Sequence, residues 1–164
     1  MKFQIKELVD DWEVKTVRLG SDTIAAGGAL VDNDRSKFVK LVGESRFGLA
    51  VAGDVIEGWV TSVEVASYDG YRIGGVADAD DCYKEVTFDG LQATPGTGVL
   101  AINDYVVVGT PVAGGTALPS GVAAKVTKAT DQSAAKASPF ASRVVSLGSA
   151  GTGAVGTIGV IQCL

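Results

Sequence analysis

Residues 138–164, SPFASRVVSLGSAGTGAVGTIGVIQCL, constrain the fold of this chain more than any other stretch. They are small, glycine-punctuated and β-branched. Their single charge is Arg143, and they hold no carboxylate side chain and no group suited to proton transfer. β-branched residues lose rotamer freedom in a helix and fit a pleated surface well. Glycines this dense belong to turns, bulges and close backbone contacts. The segment therefore predicts two closing strands, 143–147 and 156–161, joined by a flexible loop at 148–153. Its chemistry is packing rather than catalysis.

The same grammar runs through the rest of the 164 residues. Residues 12–19 (WEVKTVRL), 37–42 (KFVKLV), 47–52, 55–66 and 83–88 (YKEVTF) are rich in β-formers, and apolar and polar positions alternate close to period two in 55–66 and 83–88. That is the mark of a half-buried strand. Asp69-Gly70 and Asp89-Gly90 read as tight turns, because Asp-Gly accepts positive φ. Residues 94–98 read as a loop, 105–108 as a short strand inside the core, and 122–137 as a strand followed by a short helix or a loop near 131–136. Sequences around Gly114-Gly115 and 118–121 read as loops. No long amphipathic helix is present. Short strands with frequent turns predict an all-β chain, a compact β-barrel or β-sandwich with Gly-rich turns and little helix. Residues 12–164 fit one β-rich domain, with a possible sub-lobe boundary near 90–98 where charge shifts. Residues 1–11 (MKFQIKELVDD), with Phe3, Ile5 and Leu8 between polar residues, form either an N-terminal arm or a first strand.

Charge narrows the functional classes. Residues 1–90 carry a net −7 and residues 91–164 a net +2, for −5 in all. A nucleic-acid groove needs clustered cations to displace counterions, so nucleic acid is not an expected partner. Residues 1–11 lack the apolar core of a secretory leader, and there is no run of about 18 apolar residues, so no membrane span is expected and assembly in the cytoplasm is.

The chain has no histidine. That removes Ser-His-Asp and Cys-His nucleophile systems and His-based zinc sites together. Cys82 and Cys163 are too few for a cysteine-rich site and read as free buried thiols. The string Gly148-Ser149-Ala150-Gly151-Thr152-Gly153 lacks the Lys and the following helix of a phosphate loop and reads as a turn. Asp32-Asn33-Asp34 and Asp78-Ala79-Asp80-Asp81 cluster carboxylates, but the first lacks the Gly and Glu of a calcium loop (Lys37 and Gly43 stand there). Both read as solvated turns. A carboxylate pair for glycoside hydrolysis has no sequence signature here. No catalytic, cofactor-binding or metal-binding residue is assigned, and no cofactor or enzymatic activity is expected.

Residues 47–64 (FGLAVAGDVIEGWVTSVE), Asp69-Gly70-Tyr71, 84–90 (KEVTFDG), 136–140 (KASPF) and 143–153 (RVVSLGSAGTG) together resemble the small head decoration, or cement, proteins of tailed bacteriophages. The resemblance is one of pattern spread over residues 45–164. It implies a structural virion protein, β-rich and homotrimeric, that sits on the capsid exterior and stabilises contacts between capsomers. It implies two partners, the major capsid protein and copies of itself, and no active site. On that reading the apolar strands of residues 138–164 are the place for subunit packing, and residues 1–11 an arm reaching a neighbour. The alternative is a fibre or surface β-domain that binds carbohydrate through exposed aromatics, for which Trp12, Trp59, Tyr68, Tyr71 and Tyr83 are the candidates.

Overall fold

The computed structural model describes residues 14–19, 30–43, 46–64 and 72–164. Residues 1–11, Trp12, Tyr68, Tyr71 and the Asp69-Gly70 turn lie outside them. The described chain is all-β, as its sequence patterning leads one to expect, with thirteen strands, one 3-10 turn at Asp32–Asp34 and one helix.

The first sheet uses β1 (Val14–Leu19), β2 (Phe38–Gly43), β3 (Arg46–Leu49), β4 (Gly58–Val63) and β5 (Arg72–Asp78). The pairings run β1-β3-β2-β4-β5 and return to β1 through an antiparallel ladder from Val14↔Ala77 to Leu19↔Arg72. The β1–β3 contact is parallel and two residues long, Arg18↔Arg46 and Leu19↔Phe47.

The second sheet is built around β6 (Cys82–Leu91), with β9 (Val106–Val108), β10 (Lys125–Lys128), β11 (Ser142–Ser146) and β13 (Ile158–Cys163) in the order β11-β13-β6-β10-β9. The short β7 (Thr94–Pro95) folds back on the end of β6. A separate ribbon pairs β8 (Val99–Leu100) with β12 (Gly153–Ala154). Burial along β13 alternates, with Gly159, Ile161 and Cys163 inside and Ile158, Val160 and Gln162 half-buried. β9 is buried at all three positions, which is why its sequence is a continuous apolar run. The helix α1 (Gln132–Ala137) is capped by Asp131, whose carboxylate accepts from the amides of Ser133 and Ala134. These bonds satisfy two donors that have no partner within the helix.

One core joins the two sheets. Phe38, Ile56 and Trp59 of the first half pack in the same cluster as Val86, Phe88, Val126, Val144 and Ile161 of the second. A second cluster, Leu19, Leu30, Val39, Val60 and Val76, belongs to the first sheet alone. The chain passes from one sheet to the other at residues 79–81. Residues 90–98, where the charge shifts, form the β6–β7 hairpin inside the second sheet.

Two local expectations are corrected. Asp89-Gly90 is not the turn: β6 runs through both residues and the chain reverses at 92–93. Gly90 does take the positive φ (85°) that Asp-Gly favours, but as an irregularity in the strand, where a Cβ would collide with the backbone of Thr97. Asp32-Asn33-Asp34 is not simply a solvated turn either. Asp32 and Asn33 are exposed, while Asp34 is fully buried.

Candidate interaction surface

Residues 91–124 contain one charged residue, Asp104. Much of this stretch is exposed, so residues 91–124, with the loops that flank the β8–β12 ribbon, present a surface with little charge of their own. Exposed apolar side chains stud it. Val99 is 63% exposed, Ile102 46%, Val155 39% and Leu91 36%. Val99 lies on the ribbon opposite Ala154, Val155 follows directly, and Leu91 packs beside Gly98. Water gains little from solvating such side chains, and a cluster of them on an uncharged face is suited to another apolar protein surface.

Neutrality here is constructed. Lys128 pairs with Asp104 at 2.8 Å, and Asp104 also caps the turn below Ile102 by accepting from the amide of Ala101 at 2.7 Å. Arg143 keeps its charge but is oriented by Gln162, whose carbonyl oxygen accepts from two of its donors, at 2.9 and 3.2 Å. Gln132, the first residue of α1, clasps Tyr105, accepting from its amide at 2.8 Å and donating to its carbonyl at 2.9 Å.

The long connection between β9 and β10, residues 109–124, is also largely exposed and is fixed at two points by buried carboxylates. The first is Asp89, on the strand the sequence reads as a turn. It accepts from the amide of Thr110 at 2.9 Å and from Lys125 Nζ at 3.4 Å. Burial alone pulls the Asp89 pKa up, but the Thr110 donors and Lys125 outweigh it and hold the carboxyl below its ordinary range.

The second is Asp34. One carboxylate oxygen accepts from Lys37 Nζ and from the amide of Gly115, each at 2.8 Å, and the other accepts from the amide of Val31 at 2.9 Å. Lys37 in turn donates to the carbonyl of Ala113 at 2.7 Å, and Asn33 donates to that of Gly115 at 3.1 Å. A buried ion pair from the first half thus grips the backbone of a loop about 80 residues later. Beneath the loop lies an apolar cavity of about 120 Å³ lined by Phe38, Leu49, Val108, Pro111, Leu118 and Val122 among others.

The remaining residues singled out by sequence fall elsewhere. Trp59 is buried in the core, with Lys84 Nζ 4.8 Å above its ring, so it cannot stack on a ligand from solvent. Tyr83 is 52% exposed on β6. Asp78 ends β5, Ala79 is buried and Asp80 and Asp81 form the exposed bend into β6. The Gly148–Gly153 string is an exposed loop that leads into β12, not into a helix. Val144 of β11 and Ile161 of β13 are fully buried within this chain, while Val145, Ile158 and Val160 are half-buried. Of residues 138–164, what faces outward is chiefly helix end, loop and ribbon. Cys82 and Cys163 are free and buried.

Sequence reasoning missed the β8–β12 ribbon and the Asp34 and Asp89 anchors. The one available signal for the surface was the 34-residue stretch 91–124 with a single charge. No protein-family model, curated protein or solved structure matches this chain.

Proposed function

We propose that this chain is a structural virion protein that binds the outer surface of a phage capsid, in multiple copies, and stabilises contacts between capsomers. The observation that carries the reading is the uncharged, valine- and isoleucine-studded face around the β8–β12 ribbon. Protein interfaces are depleted in charge at their centres and lose water from apolar side chains there. A repeating shell multiplies modest contacts by avidity, so no single copy needs a large interface. The homotrimer implied by the resemblance closes under rotation and leaves no open contact to propagate. The anchoring of residues 109–124 by Asp34, Lys37 and Asp89 supports the same use. A face held rigid before contact loses less entropy on binding than one that orders afterwards.

The test is binding to capsids that lack a decoration protein. Purified chain is mixed with such capsids and the shell is imaged and pelleted. Bound density on the exterior, reduced by Val99→Asp, is the expected result. A chain that stays in the supernatant, while a glycan array retains it through Tyr83, favours the carbohydrate-binding alternative.

A further inference from the structure

Cys82 and Cys163 stand 81 positions apart in sequence, yet the fold sets them opposite each other. Cys82 is the first residue of β6, Cys163 the last of β13, and the antiparallel ladder pairs them directly. The ladder's hydrogen bonding continues from the Phe88 amide to the Thr157 carbonyl at 2.9 Å, so alternate pairs back to Cys82↔Cys163 are hydrogen-bonded pairs. Such pairs hold their Cα atoms about 5.5 Å apart. That separation lies inside the range that a disulfide bridges, about 4.4–6.8 Å. Both thiols are free and buried.

The surroundings distinguish the two sulfurs. Cys82 donates to the carbonyl of Asp78 at 3.6 Å and is within hydrogen-bonding reach of Cys163. Ser142, paired with Cys163 on the other side, has a buried hydroxyl without another partner. Lys84, half-buried over Trp59, places positive charge nearby. The neighbouring Cys82 thiol is the largest influence on Cys163. It, the Ser142 hydroxyl and Lys84 together outweigh burial and lower the Cys163 pKa, while Cys82 is pushed well above the ordinary thiol range.

We propose that Cys82 and Cys163 form a latent intramolecular disulfide site that a hydroperoxide oxidant closes, stapling β13 to β6. The Cys163 thiolate attacks one peroxide oxygen. The O–O bond breaks, leaving a sulfenic acid on Cys163 and releasing hydroxide, which takes up a proton as water. The Cys82 sulfur then attacks the Cys163 sulfur, the S–O bond breaks, and a second water leaves with the Cys82 proton. Two thiols lose two electrons and the peroxide gains them. Access comes from position. The pair ends the ladder, beside the exposed Asp80 and Asp81 and the exposed Leu164, and ladder ends open at the lowest cost. The staple closes a loop of about 80 residues, which restricts the unfolded chain far more than the folded one.

The experiment treats reduced wild-type chain with excess hydrogen peroxide, then alkylates it under denaturing conditions. The expected product has lost two hydrogens, takes up no alkylating reagent and gives a cross-linked peptide containing both cysteines. Its thermal midpoint rises by roughly 10 °C and returns with dithiothreitol. The Cys82→Ala variant shows no reversible rise. Complete alkylation after treatment, oxidation to sulfinic acid without a cross-link, or a disulfide between chains would each overturn the proposal. The wild-type measurement decides the matter even if the variant does not fold.

Discussion

Asp34 is the strongest single handle on how the two halves of this chain are tied together. Replacing it with alanine removes the partner of Lys37, an ammonium that is itself buried, and strands the amides of Val31 and Gly115. Breaking a buried pair by deleting one member costs about 3–5 kcal/mol, because the remaining charge is left without compensation. Domains of this kind have about 5–15 kcal/mol in total, so Asp34→Ala is expected to leave a folded but weakened protein. Lys37→Met is expected to cost less than Asp34→Ala, since the Asp34 carboxylate keeps the amides of Val31 and Gly115 as donors and only the carbonyl of Ala113 is orphaned. The double variant Asp34→Ala/Lys37→Met removes both charges. It is expected to be more stable than the sum of the single losses by at least about 2 kcal/mol. Urea unfolding of the four proteins measures this coupling, and thermolysin cleavage within residues 111–121 reports whether the loop is released first. Losses that simply add, within about 0.5 kcal/mol, would refute the pairing and the anchoring argument with it.

Two further outcomes follow from the same structure. Asp89 has its folded-state pKa lowered, so its contribution is present above its unfolded pKa and is lost as pH falls through the folded value. Asp89→Asn is therefore expected to weaken the protein by about 1–3 kcal/mol at neutral pH and to flatten the acid limb of its stability profile, measured by urea midpoints from neutral pH downward. An unchanged acid limb contradicts the assignment. Gly159 sits where a Cβ would strike the Phe88 ring and the Ser146 carbonyl, so Gly159→Ala is expected to cost about 1–3 kcal/mol by overpacking, read as a lower thermal midpoint. A neutral substitution there would mean that β13 lies farther from the core than described.

What the sequence made legible is local. Period-two runs and glycine clusters mark most strands, because alternation and turn chemistry act over a few residues. Residues 131–136 read equally as helix or loop, and it is the Asp131 carboxylate on the amides of Ser133 and Ala134 that goes with the helix there. The Asp89-Gly90 error shows the limit of that reasoning. Local chemistry correctly requires positive φ at Gly90, but only the approach of Thr97 decides that the residue is an irregularity in a strand and not a turn. Asp34 reads as solvated because its partners at Ala113 and Gly115 lie far along the chain. Cys82 and Cys163 read as unrelated because strand order, not spacing, makes them neighbours. The uncharged face was half visible. The single charge in residues 91–124 is countable, while the neutralisation of Lys128 and the outward placement of Val99 belong to the fold.

On the proposed reading, this uncharged face is a protein–protein interface serving an assembly of several copies. Sedimentation equilibrium of the purified chain tests it most directly. Wild-type chain is expected at three times 16.7 kDa, falling toward a single copy on Val99→Asp, with the variant still folded because Val99 is exposed in the single chain. A wild-type chain that sediments as a monomer, indistinguishable from Val99→Asp, would contradict it.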